Sequence, residues 1–351
     1  MRRLSLLFGA CFLCLLCRQT LAGELQDIRS RGYLACGVRG VVGLGSDNAA
    51  GEFSGFEVDI CRALAISVFG DAAKTKFIKI NVKERFNDLK NGKYDVLLGM
   101  TTINFNRSVI DGISPAVNVF YDTQLVLAKK NLKIDSLDEL TDSSKRIAVC
   151  FVEGNNAKDN FDHYLLSRNL KIDYVKSFYE QQAFLSDKKV ASSCDMIVND
   201  GLLLMTYKAT NPYITDEDYS YLSDVISMDA LAMFVRSDEE MVRLTRMTFN
   251  IMLIAEQMGI TSKNIDSRLT ADIGNHEVLS LYGKDRISPL LLKMGMTNGF
   301  AYNIIKNIGN YAEIYNRNIG DKTSFKVPRK YNHLIKNGGV MYSPSVGVLP
   351  E

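Results

Sequence analysis

An apolar run ending in Gly99-Met100-Thr101-Thr102 places two hydroxyls where a buried strand should stop, and a guanidinium follows at Arg107, five residues past Thr102. A guanidinium beside a hydroxyl suits a carboxylate, because its planar fork donates two parallel hydrogen bonds. Farther along, Gly154-Asn155-Asn156 ends a second apolar run and opens a helical pattern, whose first free amides would add to carboxylate recognition. A third strand-like run ends in Asn199-Asp200-Gly201 and offers the carboxylate that an ammonium requires. Arg107, Thr102 and Asn155 on one side and Asp200 on the other match the two charges of a free amino acid. Each group also has a plainer reading. Asn155 or Asn156 suits a helix N-cap, Asp200 before a glycine suits a turn, and Arg107 suits a solvated loop. Their joint placement at strand ends is what favours a ligand.

Other chemistry has little raw material. The three histidines, His163, His276 and His333, lie far apart without metal-ligand spacing, so no metal and no cofactor is expected. A Ser-His-Asp site is equally poorly supplied. Glu153, just before the glycine turn, is a carboxylate that could face a cleft, and no second catalytic carboxylate stands out beside it.

The elements that must position these residues are legible in the pattern. Residues 33–39 read as a strand, 43–55 as a Gly- and Asp-containing loop, and 56–69 as an amphipathic helix stopped by Gly70. Strand 76–82, helix 84–92 and strand 94–100 complete a βαβαβ unit. After a strand at 119–129, a second such unit follows: strand 146–152, helix 156–168, strand 171–178, helix 181–189 and strand 193–200. A strand at 228–236, a long helix at 238–259 and tail helices near 286–294 and 298–317 close the chain. The expectation is an α/β fold of two lobes, each a mainly parallel sheet with flanking helices, and no low-complexity linker separates them. Ligands in such folds sit outside the carboxyl ends of the strands.

At 351 residues the chain has room for about two domains. Residues 1–22 read as a secretory signal, with Arg2 and Arg3 before the apolar run Leu4–Cys17 and Thr20-Leu21-Ala22 at its end, so cleavage is expected after Ala22. An uncleaved amino-terminal anchor is the alternative. The leader carries three of the 42 basic residues and no acidic ones; the mature chain has 42 − 3 = 39 basic against 40 acidic residues, a net charge of −1. That balance gives no reason to expect a nucleic-acid partner. Three of the seven cysteines leave with the leader. Cys36, Cys61, Cys150 and Cys194 remain, an even number in an exported chain, which points to disulfides. Three connectivities are open; pairing neighbours, 36 with 61 and 150 with 194, is the economical one, and free buried thiols are the alternative.

The segments GYLACGV, SGFEVDICRALAISVFGDAAK, KERFNDLKNGKYDVL, the two threonines with Arg107, EGNN, CDMIVNDGLLL, VISMDALAMFVR, IIKNIGNYAEIYNRNIG and NGGVMYSP resemble, over roughly residues 24–345, the periplasmic solute-binding proteins (family 3) of polar amino-acid ABC importers. The tail is most similar to the general L-amino-acid-binding branch. The resemblance implies a two-lobed type II clamshell, with lobe 1 formed by 23–127 and 228–351, lobe 2 by 128–227, and two hinge strands between them. It implies a periplasmic protein without catalysis, whose partners are a free L-amino acid and the membrane permease subunits of an ABC importer. Arg107 and Thr102 would hold the ligand carboxylate, Asp200 the ammonium, Met100 would offer its carbonyl, and Asn155 its amide. The branch also pairs cysteines near 36 and 61 and near 150 and 194.

The chain departs from that pattern in the side-chain pocket. The branch usually carries arginine at Gly99, tryptophan at Ile103, an aromatic near Leu44, and two threonines at Asn155-Asn156. Loss of the position-99 cation shifts the expected ligand toward neutral polar or apolar amino acids. Two rival readings follow: a clamshell that has lost its ligand and serves as an antigen or scaffold, and a clamshell enzyme such as a dehydratase.

Overall fold

Both βαβαβ rhythms become halves of one eight-stranded sheet. The computed structural model describes residues 23–140, 146–271, 276–284, 291–292 and 295–346. The leader with its cleavage point lies outside them, as does most of the helix expected at 286–294.

The strands are β1 Leu34–Val38, the small ladder β2 Ser46–Asp47 and β3 Phe53–Ser54, β4 Thr75–Lys79, β5 Val96–Thr102, β6 Ile113–Lys129, β7 Ile147–Val152, β8 Tyr174–Tyr179, β9 Met196–Asp200 and β10 Tyr219–Arg236. The helices that matter here are α1 Glu24–Arg31, α2 Phe56–Phe69, α3 Arg85–Lys90, α4 Phe105–Ser108, α5 Ala157–Ser167, α6 Gln181–Ser186, α7 Lys188–Ser193, α8 Gly201–Thr210 and α9 Glu239–Gln257. The sheet runs β4-β1-β5-β10-β6-β9-β7-β8. The pairs β4/β1, β1/β5, β7/β8 and β7/β9 are parallel, and β10 and β6 join the two parallel sets by antiparallel pairing. This is the α/β, two-lobed type II clamshell, its lobes joined by two hinge strands.

Strand order reverses beside β1, which has β4 on one side and β5 on the other, and again beside β7, between β8 and β9. At each reversal the flanking connections leave toward opposite sides and open a crevice at the carboxyl ends. Those ends carry Arg39 and Gly99–Thr102 in the first half, and Glu153–Asn156 and Asn199-Asp200 in the second.

The two hinge strands are longer than the sequence pattern suggested. β6 and β10 pair from Ile113↔Arg236 to Lys129↔Tyr219, whereas apolar alternation marked only 119–129 and 228–236. The missed stretches contain Pro115 and the polar run Tyr219–Ser227. Pro115 is tolerated because β9 pairs with β6 only at 124–128, which leaves the start of β6 without a neighbour on that side. The helix expected at 181–189 is two helices, because Asp187 ends α6 and its carboxylate caps α7 at the Lys189 amide, 2.8 Å away. The helix expected at 298–317 is likewise two, Phe300–Asn307 and Tyr311–Asn318, with Asn310 and Glu313 forming a reciprocal capping box at the second. Helix α1 had no clear sequence signal, burying only Leu25 and Ile28.

α2 is buried along almost its whole length among α9 and the two tail helices. It starts with Glu57 and Asp59 in its first turn, where acidic side chains favour the helix dipole, and ends at left-handed Gly70. Both cysteine pairs are bonded as neighbours: Cys36–Cys61 ties β1 to α2 across a Cα separation of 6.4 Å, and Cys150–Cys194 ties β7 to the end of α7 across 5.6 Å. The tail is pinned to the hinge by Asn332, whose side chain accepts from the Tyr121 amide at 2.7 Å and donates to its carbonyl at 2.9 Å.

Candidate ligand-binding site

The end of β5 is irregular where chemistry was expected. Between the pairs Leu97↔Phe234 and Thr101↔Ala232, β5 inserts Leu98, Gly99 and Met100 opposite Met233 alone. Gly99 and Met100 both have left-handed backbones, φ +51° and +43°. A glycine takes that conformation freely; a methionine does so at a cost of about 1–2 kcal/mol. Such bulges re-aim backbone groups next to binding sites. A Cβ at Gly99 would lie 2.5 Å from Ile80 Cδ1, the tip of a side chain that would have to turn aside.

Glu57, buried at the start of α2, anchors this turn. Its carboxylate accepts from the Arg39 amide at 2.6 Å, which fixes the end of β1, and the Met100 amide of β5 also favours its charged form. Burial pushes its carboxyl up to about 7, although those two amides pull it down.

Arg107 lies on α4, which Asn104 initiates by accepting from the Arg107 amide at 2.9 Å. Its Nη1 donates to the Thr102 carbonyl at 2.9 Å, which fixes the guanidinium against the strand end. Burial lowers its pKa, and Asp200 and Asp229 oppose that shift. Across the cleft, Asp200 ends β9 opposite Gln124 of the hinge and accepts from its Nε2 at 3.1 Å. The same amide donates to Asn156 Oδ1 at 3.2 Å, and Gln124 Oε1 accepts from Asn160 at 2.9 Å. Asn155 donates to Asn199 at 3.2 Å and accepts from the Ala157 amide at 3.1 Å, which turns the chain just ahead of α5 and ties the end of β7 to β9.

Asp200 is raised by burial and held down first by Arg39, then by Gln124, Arg107 and Arg85. Asp122 of β6 sits beside it, accepting from the Leu202 and Thr123 amides at 3.0 and 2.8 Å. Burial and then the Asp200 charge push Asp122 up to about 8. Two neighbouring buried carboxylates cannot both ionise cheaply, so they hold a proton that isolated ones would release.

The structure therefore gathers Arg107, Thr102, Met100, Asp200, Asn155 and Asn156 around facing strand ends. Leu44 is elsewhere. It is fully buried in the core beneath the first loop, and its carbonyl accepts from the Glu57 amide at 2.8 Å, so it meets the site only through Glu57. Glu153 is exposed at the rim.

Sequence reasoning missed Arg39, Arg85, Glu57 and Gln124. Arg39 directly follows β1, at the first crevice, and that position was the available signal. Arg85 starts α3 and donates from Nη1 to the Val82 carbonyl and, across the cleft, to the Gly154 carbonyl at 3.0 Å. Gln181 Nε2 makes the second crossing bond, to the Arg39 carbonyl at 3.2 Å. Gly154 must be a glycine here: a Cβ would meet the Lys83 backbone at 2.8 Å. The halves are thus closed on each other, and a cavity of about 510 Å³ remains between them, lined by Arg39, Lys79, Asn81 and Lys83 facing Glu153, Glu180, Gln181 and Gln182.

Against known proteins, the pattern of the family described as bacterial extracellular solute-binding proteins, family 3, matches residues 41–321. The general L-amino acid-binding periplasmic protein AapJ of Rhizobium johnstonii is 32% identical over 98% of both chains. The glutamate/glutamine/aspartate/asparagine-binding protein BztA of Rhodobacter capsulatus is 30% identical over 92% of this chain and 93% of its own. A solved ABC transporter periplasmic binding protein from Brucella ovis, with glutathione bound, superposes with a TM-score of 0.84 at 32% identity, covering 93% of this chain and all of the other.

Proposed function

The chain belongs to the bacterial extracellular solute-binding proteins of family 3, and from that premise we propose that it is the substrate-binding component of an ABC importer, capturing a free L-amino acid between its lobes for membrane permease subunits. One observation carries this reading. A guanidinium on one half and a carboxylate on the other, Arg107 and Asp200, sit at the two facing crevices without an ion-pair partner within 4 Å among the described residues. A zwitterion satisfies both at once, and burial in a closed cleft strengthens each contact.

In this reading Arg107 and the Thr102 hydroxyl hold the α-carboxylate, the first amides of α5 near Asn155 and Asn156 add to it, and the Met100 carbonyl and Asp200 take the ammonium. Lobe 1 is 23–127 with 228–351, lobe 2 is 128–227, and β6 and β10 are the hinge. The ligand bridges the lobes and so favours the closed arrangement. The protein works in the periplasm after cleavage behind Ala22, and it carries out no reaction. Its relatives are solute-binding proteins rather than enzymes, and among the described residues no helix is long and apolar enough to cross a membrane.

A thermal-shift panel of the twenty L-amino acids on residues 23–351 tests the reading, since a ligand that binds only the folded state raises the melting temperature with saturation. Stabilisation by one or more amino acids is expected. A flat panel overturns it.

A further inference from the structure

The tail crosses the hinge as a strained strap, residues 327–332. Lys326 and Lys330, on either side of Val327-Pro328-Arg329, both have left-handed backbones, φ +46° and +39°. Such strain persists only where surrounding contacts enforce it, and here the enforcing contacts come from the lobe 1 side. Arg329 forms a two-point ion pair with Glu256 of α9, at 2.8 and 3.1 Å, and lies over the rings of Tyr311 and Tyr315. The Tyr315 hydroxyl donates to the Pro328 carbonyl at 3.2 Å, and the Val327 amide donates to the Ile319 carbonyl at 2.9 Å. Among the described residues no hydrogen bond or ion pair joins the strap to residues 128–227. Instead Val327, Pro328 and Tyr331 face Gly201, Leu202 and Met205 of α8 across a cavity of about 50 Å³.

What the strap holds is the hinge strand. Asn332, 3% exposed, accepts from the Tyr121 amide and donates to its carbonyl, so one side-chain amide occupies the edge of β6 as a paired residue of a further strand would. The Tyr311 hydroxyl donates to the Val119 carbonyl at 3.0 Å, just before that point. Lobe 2 takes hold of the same strand immediately afterwards: Asp122 accepts from the Leu202 amide at 3.0 Å, and β9 pairs with β6 from Gln124 onward. The ladder between β6 and β10 is regular from Phe120↔Leu231 to Gln124↔Ser227 and is interrupted on both sides, by Val119 on β6 and by Ile226 on β10. Two bodies therefore grip one strand with only Asp122 and Thr123 between their backbone holds, and rotation of one body against the other falls on that short stretch.

Building on the two-lobed reading, we propose that the C-terminal strap sets the fulcrum of the hinge. Asn332, backed by Arg329 and Glu256, fixes β6 to lobe 1 as far as Tyr121, so the lobes turn about Asp122-Thr123 and the facing Met228-Asp229. The moving boundary then lies earlier in β6 than the division at 127. A short fulcrum permits few open arrangements. Without the grip, flexing spreads back along β6 toward the interruption at Val119.

The test is the distance distribution between spin labels on Lys74→Cys in lobe 1 and Leu166→Cys in lobe 2, both exposed positions, read by pulsed electron spin resonance on the unliganded chain. It is compared with the same labelled chain carrying Asn332→Leu, which keeps the size of the side chain and loses both bonds, or Arg329→Gln, which keeps the grip and loses the ion pair behind it. Each change should widen the distribution about twofold, because more open arrangements become populated. Affinity for every captured amino acid should fall in parallel, by about three- to tenfold, since the closed arrangement then competes with more alternatives. Melting curves establish that each variant is folded. A folded Asn332→Leu chain with a lower melting temperature and an unchanged distribution overturns the proposal, because Asn332 would then serve packing alone. If neither variant folds, hydrogen exchange at the Tyr121 amide of the wild type decides: equally slow exchange with and without ligand is expected, and loss of protection in the unliganded chain overturns the fulcrum. A flat twenty-amino-acid panel would sink amino-acid capture and leave the distance measurement, made without ligand, to judge the strap.

Discussion

Replacing Arg107 with alanine should abolish capture of every α-amino acid while hardly changing the empty protein. In the structure this guanidinium makes one hydrogen bond, to the Thr102 carbonyl, and lies 5.8 Å from the Phe86 ring centre. One such bond is worth about 1 kcal/mol net, and its loss is partly offset because Arg39 and Arg85 lose a like-charged neighbour. The ligand loses far more. Truncating one partner of a buried, hydrogen-bonded charge pair costs about 2–5 kcal/mol, which is roughly a 30- to 5,000-fold rise in Kd. A ligand present at about 1,000 times its Kd stabilises the wild type by about 4 kcal/mol; weakened about 1,000-fold, it gives only about 0.4 kcal/mol at the same concentration. The thermal shift should therefore collapse about tenfold, with little change in the unliganded melting temperature. Arg107→Lys, which keeps the charge and loses the fork, should fall between the two. Calorimetry on the variant reads the Kd directly. An Arg107→Ala protein that binds its amino acid within tenfold of the wild type would refute the assignment, because the carboxylate would then have to sit elsewhere.

Ligand binding should release protons near neutral pH. An ammonium on Asp200 favours its ionised form, so the proton shared with Asp122, itself pushed up to about 8, is expelled. Affinity then falls as pH drops below about 8, and titrations in buffers of different ionisation enthalpy count the protons; net uptake would contradict the coupling. Stability of the empty protein should fall as pH rises from about 4.5 to about 7. Glu57, at about 7 in the folded state against 4.5 unfolded, binds more proton folded than unfolded in that window, and Asp229, at about 6, adds the same sign. Glu57→Gln should flatten that slope by up to about 3 kcal/mol in denaturant melts at pH 5 and pH 8; an unchanged slope would mean that Glu57 titrates normally. Replacing Cys150 and Cys194 with serine opens a link spanning 44 residues, and Cys36 with Cys61 one spanning 25. The chain-entropy relation puts the losses at about 4 and about 3.5 kcal/mol, so the first pair should lower the melting temperature more; the reverse order would show that native-state packing outweighs loop length.

Much of this was readable from local pattern. Period-2 and period-3.6 apolar spacing and glycine stops are properties of short stretches, so they determined both βαβαβ units and the α/β class; the even cysteine count pointed to disulfides, and which cysteines pair was decided by the fold. Arg107, Thr102 and Asp200 stood out because unlike charges and hydroxyls broke apolar runs at their ends. Tertiary structure alone decided the rest. The hinge strands extend through Pro115 and the polar stretch 219–227 because each supports the other by pairing, which needs no apolar face. Leu44 is in the core and Glu57 is bonded to the backbone at the end of β1, since a side chain's direction depends on the loop that carries it. Arg39 reaches the Gly99 carbonyl from 60 residues earlier in the chain, a meeting no local pattern announces. Sequence assigns a charge to a position, whereas a cleft responds only to where the guanidinium ends up in space.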